Sequence, residues 1–189
     1  MENLNGQNAP LVVLAFLQAD CWDSEYRREL ISLSSHLNLT KDINSNGSWK
    51  ESSEDEGLEC DGHLQSSIRD SLQDLQPLVE LRWPRDHAEA AAVRRIAEDL
   101  REVAAQLEHN VVARATQNLS SNIQASPFEQ WKHLLSREVE RVMRQGVGLE
   151  HLPQERVAVA LTLTLVKGVC ENAPRLLRGL FNTALQCIR

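Results

Sequence analysis

Ten consecutive uncharged residues, Val157-Ala-Val-Ala-Leu-Thr-Leu-Thr-Leu-Val166, lie between Arg156 and Lys167 and form the least polar stretch of this chain. A segment apolar on every side has to be surrounded on every side. It is too short to cross a bilayer, which takes about 20 residues. Its Leu-Thr alternation would also permit a strand, but the flanking Pro153 and Pro174 bracket a segment of helical length. The run therefore reads as the centre of a helical bundle. Composition agrees: aromatics are 4% and there are only 8 Gly, a poor supply for a turn-rich β-sandwich. At 189 residues the chain can bury a core without metals or disulfides.

Other helices can be placed around this centre. Pro10-Leu-Val-Val-Leu-Ala-Phe-Leu-Gln18 is an apolar run that fits a buried helix or a buried strand. Asp23 or Ser24 caps a second run with Tyr26, Leu30, Ile31, Leu33 and Leu37 on one face. Ser66–Leu75 reads as a short helix. Asp86 with Glu89 makes a capping-box pattern, after which Val93, Ile96, Leu100, Val103 and Leu107 repeat as one narrow stripe through about Asn110. A weaker helix spans Val111–Ser120. Ser126-Pro127-Phe128-Glu129 predicts a capped start to a helix that runs to about Arg144 and stops at Gly146-Val-Gly148. Pro153 opens the apolar helix, and Asn172-Ala-Pro174 separates it from the last one, with Leu177, Leu180, Phe181, Ala184 and Ile188 on one side.

The net charge of −7 is unevenly distributed. Residues 1–61 hold 12 acids and 4 bases, a balance of −8, and the remainder carries +1. Much of the excess sits in Lys50-Glu-Ser-Ser-Glu-Asp-Glu-Gly-Leu-Glu-Cys-Asp61, after the polar run Asn44–Ser48. Residues 38–65 thus read as an acidic disordered loop with too little apolar surface to order itself. The 1–37 and 66–189 segments then form one domain around it. A chain with 20 Lys and Arg against 27 acids is no strongly basic nucleic-acid binder. Cys21, Cys60, Cys170 and Cys187 have no metal-binding spacing, and the acidic start (MENLNG) is no secretory signal, which predicts reduced thiols in a cytosolic protein.

Catalytic machinery is not apparent. The chain has no GxGxxG, P-loop, GxSxG or HExxH motif, and its six histidines are isolated. Asp86, Glu89, Glu98 and Glu102 read as solvated acids on a helix. We expect neither an enzyme nor a cofactor nor a metal site. Two patterns remain. Leu58-Glu59-Cys60-Asp61-Gly62 offers an aspartate before a small residue, with Glu two positions upstream. Caspase-class proteases cut after such an aspartate when the loop is extended, and a plain solvated loop has the same composition. The stripe at 93–107 is either a core-facing helix or a ligand for a partner's groove, with Ile96, Leu100, Val103 and Leu107 as anchors and small Ala97 and Ala104 allowing close approach.

These pieces occur together in one family. Leu11–Gln18 with Tyr26-Arg-Arg-Glu-Leu30, Arg95-Ile-Ala-Glu-Asp-Leu100, Leu163–Lys167 and Ala173-Pro-Arg-Leu-Leu-Arg-Gly-Leu-Phe-Asn-Thr183 resemble, in order, segments of the Bcl-2-family death agonists that carry only the third homology motif. The resemblance implies an all-α, compact, Bcl-2-like multi-helix bundle with two apolar central helices in a hairpin at about 153–188 and the death motif at about 86–110. It implies a cytoplasmic inactive form, cut by an initiator caspase at Asp61–Gly62. It implies relocation of the C-terminal fragment to the mitochondrial outer membrane. Its partners there would be anti-apoptotic Bcl-2 relatives, the effectors Bax and Bak, and anionic lipid, and the outcome permeabilisation with cytochrome c release.

Further details follow from the same resemblance. The new terminus Gly62-His-Leu-Gln-Ser66 fits the myristoylation pattern used after such a cut. Val157, Val159, Leu161, Leu163, Leu165, Leu177, Leu180 and Phe181 would form the membrane-associating core. Ser52 and Ser53, each with an acid three residues on, fit an acidophilic-kinase pattern and equally fit unmodified loop serines. The chain departs from the family at Ala104-Ala105, where the motif has a small residue and then Asp paired with a partner arginine. Losing such a contact costs about 1–3 kcal/mol. A register one turn earlier, with Ala97-Glu98, restores the acid but puts Glu89 at an apolar anchor, so the first register is retained. Arg189 follows soon after the helix opened by Pro174, which predicts a short or missing final helix. The rival to this switch is a constitutive helical adaptor whose stripe stays in the core.

Overall fold

In the computed structural model of the chain, residues 8–37, 87–146 and 149–188 are described. They form seven α-helices: α1 (Ala9–Gln18), α2 (Ser24–His36), α3 (His87–Ala105), α4 (His109–Ala125), α5 (Trp131–Gln145), α6 (Gln154–Asn172) and α7 (Leu177–Ile188). Single 3₁₀ turns at Phe128–Gln130 and Pro174–Leu176 lead into α5 and α7. No strand occurs among the described residues. The 38–65 loop and the 66–75 helix lie outside the described residues, as does Asp86 of the capping box.

The uncharged run is the middle of α6, and α1, α3, α4, α5 and α7 all pack against it. Val157, Leu161, Leu163, Leu165, Val166 and Val169 are fully buried. The Leu-Thr alternation is compatible with helix because the two threonine hydroxyls donate back to their own backbone. Thr162 Oγ1 bonds the Ala158 carbonyl and Thr164 Oγ1 the Ala160 carbonyl, each at 2.7 Å. A hydroxyl satisfied in this way costs nothing to bury, so the apolar surroundings decide the conformation. Gly168 gives α4 its approach: a Cβ there would stand 2.8 Å from the Thr116 methyl. The hairpin partner α7 buries Leu177, Leu180, Phe181 and Ala184 against the bundle and turns Arg178, Asn182 and Gln186 outward.

The N-terminal apolar run resolves as helix. Six of its residues, Leu11, Val12, Val13, Leu14, Phe16 and Leu17, are buried in the common core. Asp23 is the cap of α2, its Oδ1 accepting from the Tyr26 N–H at 2.7 Å. Tyr26, Leu30 and Leu33 face the core as the spacing predicts, and Leu37 is half-buried. Ile31 does not share their face and is 39% exposed, because it lies one position past Leu30 on the helical wheel.

Two helix boundaries outside α3 depart from the sequence reading. The α4 helix is longer than 111–120, reaching from His109 to Ala125. The Ser126-Pro127 start is not a capping box: Pro127 is extended, Phe128–Gln130 form a 3₁₀ turn, and no side chain caps α5. Other contacts occupy this junction. The Trp131 indole N–H donates to the Ser126 carbonyl at 3.2 Å, and the Trp131 and Phe128 rings meet edge to face at 5.2 Å. Both rings lie over Gly179 of α7.

Candidate functional site

The stripe belongs to α3, which packs between α1 and α6. Its sequence explains the helix: alanines and long charged residues surround a row of apolar positions at three- and four-residue spacing. Val93, Ala97, Leu100 and Val103 are at most 5% exposed, and Ile96 and Ala104 are half-buried at the edge of the seam. On the outer face Arg94, Arg95, Glu98, Asp99, Arg101 and Glu102 are exposed, while Glu89 is half-buried near the helix start. All seven predicted anchor and small positions therefore fall on one side of the chain, with their apolar surface turned inward in the intact fold.

The helix stops earlier than the stripe suggests. α3 ends at Ala105, and Leu107 is buried from the following turn, its N–H donating to the Ala104 carbonyl at 3.2 Å. The Glu108 carbonyl then accepts from both Val111 and Val112 at 3.1 Å and starts α4. The apolar spacing alone cannot show this break, because a tight turn also returns a residue to the same side three or four positions on.

Position 105 lies at an opening rather than in the seam. Ala105 is exposed and, with Phe16, Asp20, Arg101, Thr164 and Lys167, borders a cleft of about 300 Å³. Asp20 has no local pattern to mark it, and Lys167 is legible in the sequence only as the charged end of the 157–166 run. Asp20 has a left-handed backbone, with φ 54°, and its carboxylate accepts from Arg101 Nη2 at 2.7 Å. Lys167 Nζ donates to the Ala19 carbonyl. Two other carbonyls of this turn region are also bonded: Tyr26 Oη donates to Leu17 O at 2.9 Å and Arg27 Nη2 to Cys21 O at 2.8 Å.

Burial raises the Tyr26 phenol strongly, with smaller contributions from Cys170, Cys21 and Glu171. The Cys170 thiol is likewise raised, chiefly by burial. Desolvation raises the Cys21 thiol too, and its hydrogen bond to Arg27 opposes the shift in part. These groups are held neutral rather than activated. The buried Glu138 is paired with Arg141 on the same helix, and that hydrogen bond raises the guanidinium pKa. Among the described residues no three His, Cys, Asp or Glu side chains gather where they could hold a metal ion.

The hairpin residues Val157, Val159, Leu161, Leu163, Leu165, Leu177, Leu180 and Phe181 are all buried, none above 8% exposed. Among the described residues no helix is long and apolar enough to cross a membrane. Leu58, Glu59, Cys60, Asp61 and Gly62, and the serines Ser52 and Ser53, lie outside the described residues. Comparison with curated proteins and with solved structures gives no significant match. The family model described as BH3 interacting domain (BID) does match, over residues 4–189. With nearly the whole chain covered and the described residues forming a helical bundle, the protein belongs to the BID family, a regulatory family of the Bcl-2 apoptosis system.

Proposed function

We propose that the chain is a proteolytically activated pro-apoptotic switch whose working surface is the inner face of α3. The observation that carries this reading is the burial of Val93, Ala97, Leu100, Val103 and Leu107 against the bundle. A groove in another protein would need the same side chains, so the closed bundle and the partner compete for one surface. α1 is one of the two main neighbours of α3 and lies in the 1–61 segment. A cut by an initiator caspase after Asp61 would place stripe and cover on different fragments. The N-terminal fragment would take −8 with it and leave a remainder at +1, which is repelled less by anionic mitochondrial lipid.

In this reading the C-terminal fragment moves from the cytoplasm to the mitochondrial outer membrane and presents the stripe to anti-apoptotic Bcl-2 relatives and to Bax and Bak. Myristoylation of the new Gly62 terminus supplies one membrane anchor. A single acyl chain binds only marginally. The second contribution comes from the apolar hairpin, led by Leu161, Leu163, Leu165 and Phe181. Phosphorylation of Ser52 or Ser53 would add negative charge beside the cleavage site and regulate the cut.

The test is cytochrome c release from isolated mitochondria by intact protein, caspase-cut protein and cut protein carrying Leu100→Glu. Release by the cut wild-type sample alone is the expected outcome. If the cut at Asp61 is verified by mass and no release follows, Ala105 in place of the motif acid has disabled the stripe, and the adaptor reading takes its place.

A further inference from the structure

The turn between α1 and α2 is tied to α3 through Arg101 and to α6 through Lys167. Arg141–Glu138, Arg144–Glu140 and Lys167–Glu171 are ion pairs within single helices, three or four residues apart. Arg101–Asp20 instead joins α3 to the end of α1, across 81 positions of sequence. One residue earlier, the Ala19 carbonyl takes the Lys167 ammonium from α6. Asp20 reaches its pairing position only through a left-handed backbone, which an aspartate tolerates better than most residues.

The packing around this point explains why a polar tie matters there. On the α3 side the cleft is lined by Ala104 and Ala105, whose side chains are too short to fill it. Val103 and Leu107 are buried on the inner side of this end of the stripe, so beside the cleft itself only the half-buried Ala104 and the exposed Ala105 offer apolar surface. The cleft is open, so water and salt reach the pair, and the Asp20 and Arg101 side chains are 66% and 42% exposed.

We propose that Asp20–Arg101 is an electrostatic latch that sets how often the C-terminal half of α3 opens from the uncut bundle. This deepens the reading of the stripe as a hidden surface and adds a regulator to it. The latch needs no proteolysis to be weakened, since salt or the loss of either charge suffices. Lys167 is a positioning residue here: by holding Ala19 it fixes the turn that aims Asp20.

The experiment is amide hydrogen exchange on the uncut full chain, following 98–107, in wild type, Asp20→Asn, Arg101→Gln and the double variant. Asparagine retains tolerance of the left-handed turn, so the fold is maintained. An exposed pair of this kind predicts exchange in this segment about two- to fivefold faster in each single variant. The double variant should be no faster than either single one, and about 1 M salt should bring wild type to the same rate. The proposal is overturned if both single variants exchange at the wild-type rate, or if their effects add in the double variant. Each variant is also assayed, after caspase cutting, for cytochrome c release. Unchanged exchange with normal release refutes the latch alone, whereas a latch seen by exchange with no release from any cut sample refutes the switch alone.

Discussion

Replacing Leu100 by alanine tests the double use of the stripe. Leu100 is 1% exposed, in the middle of the seam that α3 makes with α1 and α6. Two of its helix neighbours on that seam, Ala97 and Ala104, are too small to fill the space a shortened side chain leaves. The transfer and cavity contributions together come to about 3 kcal/mol. For a chain of this size that corresponds to a fall in Tm of roughly 6–12 °C by calorimetry of the uncut protein. Ile96→Ala, at the half-buried edge, should cost about 1 kcal/mol and lower Tm by roughly 2–4 °C. Peptides spanning 86–110 with either substitution should both bind a Bcl-2-type groove more weakly, because the proposed function uses both positions as anchors. The order for stability is therefore steep and the order for binding shallow. Equal, small Tm shifts for the two variants would refute the packing argument, since α3 would then not be seated by the Leu100 face.

Three further outcomes follow from particular contacts. Gly179→Ala puts a methyl 2.5 Å from Trp131 Cζ3 and should destabilise the bundle by about 1–3 kcal/mol, with a changed near-ultraviolet circular dichroism signal from the displaced indole. An unaltered signal and stability would show that the ring has room to move. Tyr26→Phe removes the donor to the Leu17 carbonyl inside the core and should cost about 1–2 kcal/mol in urea unfolding. Alkaline titration probes the two buried acids Cys170 and Tyr26, both raised by burial. The folded state keeps their protons while the unfolded thiol ionises above about pH 8.5 and the phenol above about pH 10. Stability is thus complete below pH 8.5 and falls as pH rises, with the thiol contributing about 1.4 kcal/mol per pH unit once it titrates in the unfolded chain. Cys170→Ala should flatten the fall between pH 8.5 and 10, and an identical slope in the variant would contradict the buried-thiol assignment.

Much of this bundle is written in local patterns. The uncharged 157–166 run can be nothing but a centre once it is helical, and the stripe at 93–107 names its own buried face because helical geometry returns every third or fourth side chain to one side. Asp23 is legible as a cap because its short carboxylate reaches the N–H three residues on, wherever α2 packs. The Ser126 cap failed for the opposite reason. The Trp131–Phe128 pair packs over Gly179 of α7, a contact that no local spacing encodes, and the start of α5 there is a 3₁₀ turn with no side-chain cap.

The choice of helix for 10–18 likewise belongs to the tertiary structure, since an apolar run has no period of its own until something surrounds it. The latch is the extreme case. Asp20, Arg101 and Lys167 are ordinary charged residues in sequence, 66 or more positions apart, and only the packing of α3 against both α1 and α6 brings them to one cleft. Sequence by itself determined which side chains this protein has to hide, because burial of apolar surface depends on periodicity that the chain carries locally. Only the tertiary structure decided what hides them and how firmly, because ion pairs and close approaches are set by positions in space that no local spacing encodes.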